Sequence, residues 1–115
     1  MLRRSMEATR QELADRLESY YRSCDRKTRR GEDGTVRADG PGGVTWIGLP
    51  VLPEDFADPD FEPRLLALSA ERMPTGELCP LELLPAQACA DSLRDLLDRL
   101  QLRGRGHAEV YSLAA

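Results

Sequence analysis

The sequence predicts an α+β fold: a two-layer sandwich of two amphipathic helices packed on a small, mainly antiparallel sheet. Three observations carry the prediction. Two separate stretches repeat apolar residues at i, i+4, i+7, i+8 and i+11, the stripe of a helix with one buried face. Short runs rich in β-branched or leucine residues stand between glycine and proline turns, as strands do. Their coarse order, α-β-loop-β-β-α-β, is most economically met by laying both helices on one face of the sheet. At 115 residues, with 41% hydrophobic and 31% charged side chains, the chain suits one domain, 1–115, with a single core.

The first helix is expected to begin between Ser5 and Thr9. Thr9-Arg10-Gln11-Glu12 is a capping box, in which hydroxyl and carboxylate satisfy end N–H groups reciprocally. Leu13, Leu17, Tyr20, Tyr21 and Cys24 then form the stripe. Met6, Leu13 and Tyr20 are seven apart, which allows a homodimer seam through residues 6–24. Arg22, Arg26, Lys27, Arg29 and Arg30 would close this helix with positive charge, favourable at the negative end of its dipole. The same five residues are a secondary basic patch, suited to an acidic partner or a phosphate.

Residues 31–43 hold five glycines and read as a broken connection, with Thr35-Val36-Arg37 pairing briefly as a strand. Val44-Thr45-Trp46-Ile47-Gly48-Leu49 reads as a strand that Pro50 and Pro53 end or confine to an edge. Residues 50–63 carry Glu54, Asp55, Asp58, Asp60 and Glu62 together with Phe56 and Phe61. Prolines at 50, 53, 59 and 63 predict an extended acidic loop with two aromatic anchors. Long loops in compact domains are commonly functional, so this one is the first candidate for a binding surface.

Residues 64–71 and 78–84 flank Met73-Pro74-Thr75-Gly76-Glu77 and read as a β-hairpin, with Gly76 at a left-handed turn position. Leucine runs of this length are also compatible with helix, which periodicity does not settle. Pro80 places the second strand at an edge, at a bulge, or with its N–H side unpaired. The second helix spans Pro85 to Arg103, with Pro85 at its first position and Gly104 as its left-handed cap. Cys89, Leu93, Leu96, Leu97 and Leu100 are its apolar stripe. His107 to Leu113 alternates weakly as a last strand.

Composition limits function. The formal charge of −4 is uneven: residues 1–40 carry +2, residues 41–95 carry −7 and residues 96–115 carry +1. The middle of the chain is therefore a poor nucleic-acid surface, because phosphate binding needs clustered cations. Fifteen of the sixteen basic residues are arginine, a bias that points to a GC-rich bacterial genome rather than to a function. No apolar run approaches the ~18 residues of a membrane span, and no apolar segment follows Arg3 and Arg4 as in a secretory signal. Three cysteines at unrelated spacings make a poor disulfide framework and fit a reducing, cytoplasmic location.

Chemistry finds little purchase. Cys24, Cys79, Cys89 and His107 are enough in number for one zinc, but zinc sites pair ligands two to four residues apart and these do not. Cys24 and Cys89 fall on helix stripes, where a thiol packs as a small hydrophobe. No cysteine is set beside His107 for nucleophilic catalysis. Gly40-Pro41-Gly42-Gly43 precedes a strand and lacks the Lys-Ser/Thr of a phosphate loop, and the Arg-Gly repeat at 103–106 reads as a helix cap. Neither a catalytic residue nor a metal or cofactor is expected.

A non-enzymatic interaction or regulatory module follows. Its partner-binding residues would be Trp46, Glu54, Asp55, Phe56, Asp58, Asp60, Phe61 and Glu62, facing a protein with a basic surface. The alternative is an acidic inhibitor that mimics nucleic acid, of the phage counter-defence type, and blocks a basic site on another protein.

Overall fold

The computed structural model describes residues 8–102 and 108–111. Its elements are α1 (Arg10–Ser23), β1 (Lys27–Arg30), β2 (Val36–Asp39), β3 (Thr45–Val51), α2 (Phe61–Ser69), β4 (Leu81–Pro85), α3 (Ala90–Arg99) and β5 (Ala108–Val110). They form a small α+β sandwich, the predicted class, around a five-stranded sheet in the order β1-β2-β3-β4-β5. The pairs β1–β2 and β2–β3 are antiparallel, and β3–β4 and β4–β5 are parallel.

Parallel neighbours need a crossover, and here each crossover is a helix, α2 after β3 and α3 after β4. This overturns the predicted hairpin. Residues 61–69 are helical because Phe61, Leu65 and Leu68, at i, i+4 and i+7, are all buried on one face while Leu66 is exposed. Pro63 is tolerated because the first-turn N–H groups have no intrahelical acceptor. The turn itself forms as expected. Gly76 has φ +92° and donates to the Met73 carbonyl at 2.8 Å, but only Arg72 and Leu78 pair across it.

The two predicted helices do not share a face. α1 lies over β1 to β4, with Leu17 and Tyr21 seated where a side chain on Gly48 would stand. Successive strand residues alternate faces, so Ile47, Leu49, Val51, Leu81 and Leu83 point to the other side. They are fully buried there. Right-handed crossovers put both α2 and α3 on that side. Arg37, also on that side, reaches Glu71 just past α2 at 2.8 Å.

Pro50 does not end β3. Ile47 donates its N–H to Pro80, so alternate N–H groups face β4, and the nitrogen of Pro50 faces the β2 side. There β2 stops at the Val36–Gly48 pair, so no hydrogen bond is lost. Pro80 stands just ahead of β4 and does not make it an edge: β4 is flanked by β3 and β5, and all five of its residues are buried. Pro85 closes β4 rather than opening α3.

α1 starts at the predicted capping box. The Glu12 N–H donates to Thr9 Oγ1 at 3.1 Å, and the Thr9 N–H donates to Glu12 Oε1 at 2.7 Å. It keeps only Arg22 of the basic cluster in its last turn, because Asp25 (φ 61°) turns the chain and Lys27–Arg30 become an edge strand. Cys24, expected on the apolar stripe, is the C-cap and exposed, whereas Cys79 and Cys89 are buried. Leu13 and Leu17 are spent on the core of the same chain. The proposed seam therefore keeps only half-buried Tyr20 among the described residues, Met6 lying outside them. Gly104, His107 and the residues after Tyr111 also lie outside.

A carboxylate is buried on the sheet itself. Glu82, on β4 beside Gly48 of β3, accepts from Tyr21 Oη of α1 at 2.6 Å and from Tyr111 Oη at 2.7 Å. Burial, then the hydrogen bond to Glu82, pushes both phenols well above the usual tyrosine value. A phenol whose folded pKa is raised stabilises the fold fully below its unfolded value near pH 10, and that stability is lost as pH rises above it. Stability measured by urea melts should therefore fall above pH 10, by about 1.4 kcal/mol per pH unit for Tyr21 alone. Tyr21→Phe should cost about 2 kcal/mol at pH 8 and flatten the alkaline loss. An alkaline slope unchanged in that variant would remove Tyr21 as its source.

α3 ends in a left-handed residue that is not glycine. Gln101 has φ 60°, and Leu102 donates to Leu97 while Gln101 donates to Asp98, a Schellman arrangement. Gln101→Gly should raise stability by about 1 kcal/mol, read as a higher urea midpoint at unchanged slope.

A candidate protein-docking cleft

The acidic stretch is not an extended loop. After β3, Pro53–Ala57 makes a 3-10 turn with Pro53 in its first positions, and Phe61 opens α2. The turn is held by Asp55, whose side chain accepts the Leu52 N–H at 2.8 Å and both guanidinium nitrogens of Arg10 at 2.8 and 3.2 Å. Asp55 is buried and is spoken for within the chain. Its neighbours Asp58 and Asp60 shape the entry to α2: Asp58 Oδ1 accepts the Asp60 N–H at 2.9 Å, and the Asp60 carbonyl accepts Arg64 N–H at 3.0 Å. Glu62 sits in the first helical turn, where a negative charge is favoured.

These turns leave a surface cleft of about 480 Å³ between the 53–63 segment and α3. Phe56, Phe61 and Leu96 form its apolar lining, and Asp58, Glu62 and Arg99 its charged rim, with Pro59 and Pro63 between them. Phe61 and Leu96 are fully packed, whereas Phe56 is half-buried and stands edge-on to Phe61 with ring centroids 5.3 Å apart. Of the predicted binding residues, the cleft gathers Phe56, Asp58, Phe61 and Glu62. Glu54 and Asp60 are exposed beside it without lining it. Asp55 is structural. Arg99 and Leu96 belong to the cleft although nothing local in the sequence marks them, since α3 meets this segment only in the fold.

Trp46 lies elsewhere, on β3 opposite Ala38. The Arg26 guanidinium stacks 3.6 Å from its ring centroid, and a side chain at Gly40 would collide with the ring at 2.7 Å. Trp46 is thus half-buried by its own chain, a cation–π contact rather than an open anchor.

The basic patch is largely neutralised. Arg22 pairs with Glu18, Arg29 with Asp39, and Arg30 with both Asp15 and Glu18. A hollow of about 420 Å³ at the β1–β2 turn includes Arg29, Arg30 and Arg37, and each already holds a carboxylate. Lys27, Arg29 and Arg30 have a sufficient reason to be charged: they line the sheet's outer strand, where charge discourages edge pairing.

Among the described residues no group of three or more metal-ligating side chains converges, and no helix is long and apolar enough to cross a membrane. Cys24, Cys79 and Cys89 form no disulfide, and burial pushes the Cys79 thiol above its ordinary value.

Asp55 and its exposed neighbour Glu54 separate by mutation. Asp55→Ala should cost about 2 kcal/mol in a urea melt, having orphaned Arg10 and the Leu52 N–H, whereas Glu54→Ala should stay within about 0.5 kcal/mol. Equal small effects would show that Asp55 does not hold the turn.

Comparison with known proteins finds no match for this chain: no family model, no curated protein and no solved structure is significantly similar to it.

Proposed function

We propose that the chain is a small protein-interaction module that acts by contact, through the cleft between residues 56–63 and α3. Its partner would be a protein segment that pairs basic with apolar side chains. The observation that carries this reading is Phe56: a half-buried aromatic ring open to a cleft whose rim holds Asp58 and Glu62, with Glu54 and Asp60 exposed nearby. An aromatic anchor supplies binding energy where water is excluded. The surrounding carboxylates act differently, raising the encounter rate and rejecting acidic partners more than they add affinity.

The uncompensated charge supports the same partner. Asp55 is neutralised by Arg10, but Asp58 and Asp60 have no cation within ion-pair distance among the described residues, and Glu62 has only a long contact to Arg99. A bacterial cytoplasm is the proposed setting, consistent with three cysteines outside any disulfide.

Selection from a random peptide library tests the reading. The wild-type chain should enrich peptides that combine arginine or lysine with an aromatic or large aliphatic residue. A variant with Glu54, Asp58, Asp60 and Glu62 changed to their amides, leaving Asp55 intact, should lose the basic preference. Identical enrichment by both proteins would sink the proposal.

A further inference from the structure

We infer that Arg99 is a built-in competitor for the cleft, holding beside Glu62 the position that a partner's basic side chain would take. This rests on reading the cleft as a docking site, and it adds the residue that would set the site's affinity and its discrimination. Arg99 is the last residue of α3, where the helix dipole favours a cation. From there it lines the cleft, with Nη2 4.0 Å from Glu62 Oε2. That is too long for a hydrogen bond, and the side chains are 68% and 50% exposed, so the contact adds little to the fold.

Three ion pairs that join separate elements are closer. Arg10–Asp55 and Arg37–Glu71 close at 2.8 Å, and Arg30–Asp15 at 2.7 Å. Those pairs join elements that must stay together. Arg99–Glu62 joins the two walls of the cleft and can be displaced by an incoming guanidinium or ammonium without breaking anything else. A basic ligand therefore meets a cation already in place, and its affinity is reduced by the repulsion and by the contact it must replace.

The experiment uses a short fluorescein-labelled peptide carrying two arginines around one leucine, read by fluorescence anisotropy against the full chain. R99A should tighten binding about three- to tenfold, R99E should tighten it further, and both gains should shrink as salt is raised. K27A is the control, because it changes the net charge equally from an exposed position on β1 and should shift affinity less than about twofold. R99Q, which keeps hydrogen-bonding capacity without the charge, should behave like R99A.

Equal binding by wild type, R99A and K27A would overturn the role of Arg99 and leave the docking site standing. Weaker binding by R99A would also overturn it, by making Arg99 part of the binding surface. No binding by any of the proteins, or binding that D58N and E62Q do not alter, would overturn the docking site and this inference with it. Circular dichroism of each variant confirms that the comparison is made on folded protein.

Discussion

One buried carboxylate sets the spacing of the molecule. Glu82 stands in the middle of the sheet and receives hydroxyls from α1 and from the residue that follows β5. Removing a carboxylate from water is costly unless hydrogen bonds replace the lost hydration, and two short ones do so here. The geometry needs Gly48, because any side chain there would meet Tyr21 and Leu17. It also needs β5 alongside β4, since Glu109 is the register partner of Glu82 and delivers Tyr111 two residues later. A single acid thus fixes how closely α1 approaches and where the short last strand docks. Hydrophobic packing alone, being non-directional, would fix neither.

The mixed sheet in turn explains where the cleft lies. The antiparallel half turns back on itself through short connections, and the arginines of the hollow at its β1–β2 turn already hold carboxylates. The parallel half must carry the chain away from the end of β3 and return it to the start of β4. That excursion is the 53–60 segment, α2 and the turn closed by Arg72 and Leu78. The cleft forms where the start of that excursion meets the C-terminal half of α3.

Much of this was legible in the residues. Thr9 and Glu12 announced the start of α1, the leucine stripe announced α3, and the interval from Val44 to Leu49 announced β3. What failed was arbitration between local rules. The leucine run at 64–69 matches both helix and strand, and the decisive apolar residue, Phe61, stands outside the run on the far side of Pro63. Pro50 suggests an edge because the side toward which its nitrogen points depends on a register that only pairing reveals. The basic run at 27–30 looked like a helix end because Asp25 is not the residue that a left-handed stop usually shows. The aromatic and acidic residues of the cleft were visible, but their division into latch, helix cap and open rim was not: Arg10 and Asp55 are 45 positions apart, as are none of the spacings on which local rules depend. Glu82 did leave a signal, a lone acid inside an otherwise apolar strand, and such an acid calls for distant hydroxyl or cation partners.

Charge shows how folding turns an uneven sequence into an uneven surface. In the first forty residues acids and bases are nearly balanced, and the fold brings them together: Arg22, Arg29 and Arg30 meet carboxylates from α1 and β2. In the middle of the chain carboxylates outnumber bases heavily, so pairing runs out. Arg10 crosses to Asp55 and Arg37 to Glu71, and each of those contacts consumes a base of the N-terminal region. The residue of negative charge is then left where the chain is most acidic, around the start of α2. Part of that placement serves the helix, whose N-terminus favours carboxylates. A helix end needs one or two such groups, however, and does not require an aromatic ring left half-open beside them. The combination of surplus acid with Phe56 distinguishes this corner from the paired surface around β1, and it is the physical ground on which a contact function is assigned to the cleft rather than to the basic edge.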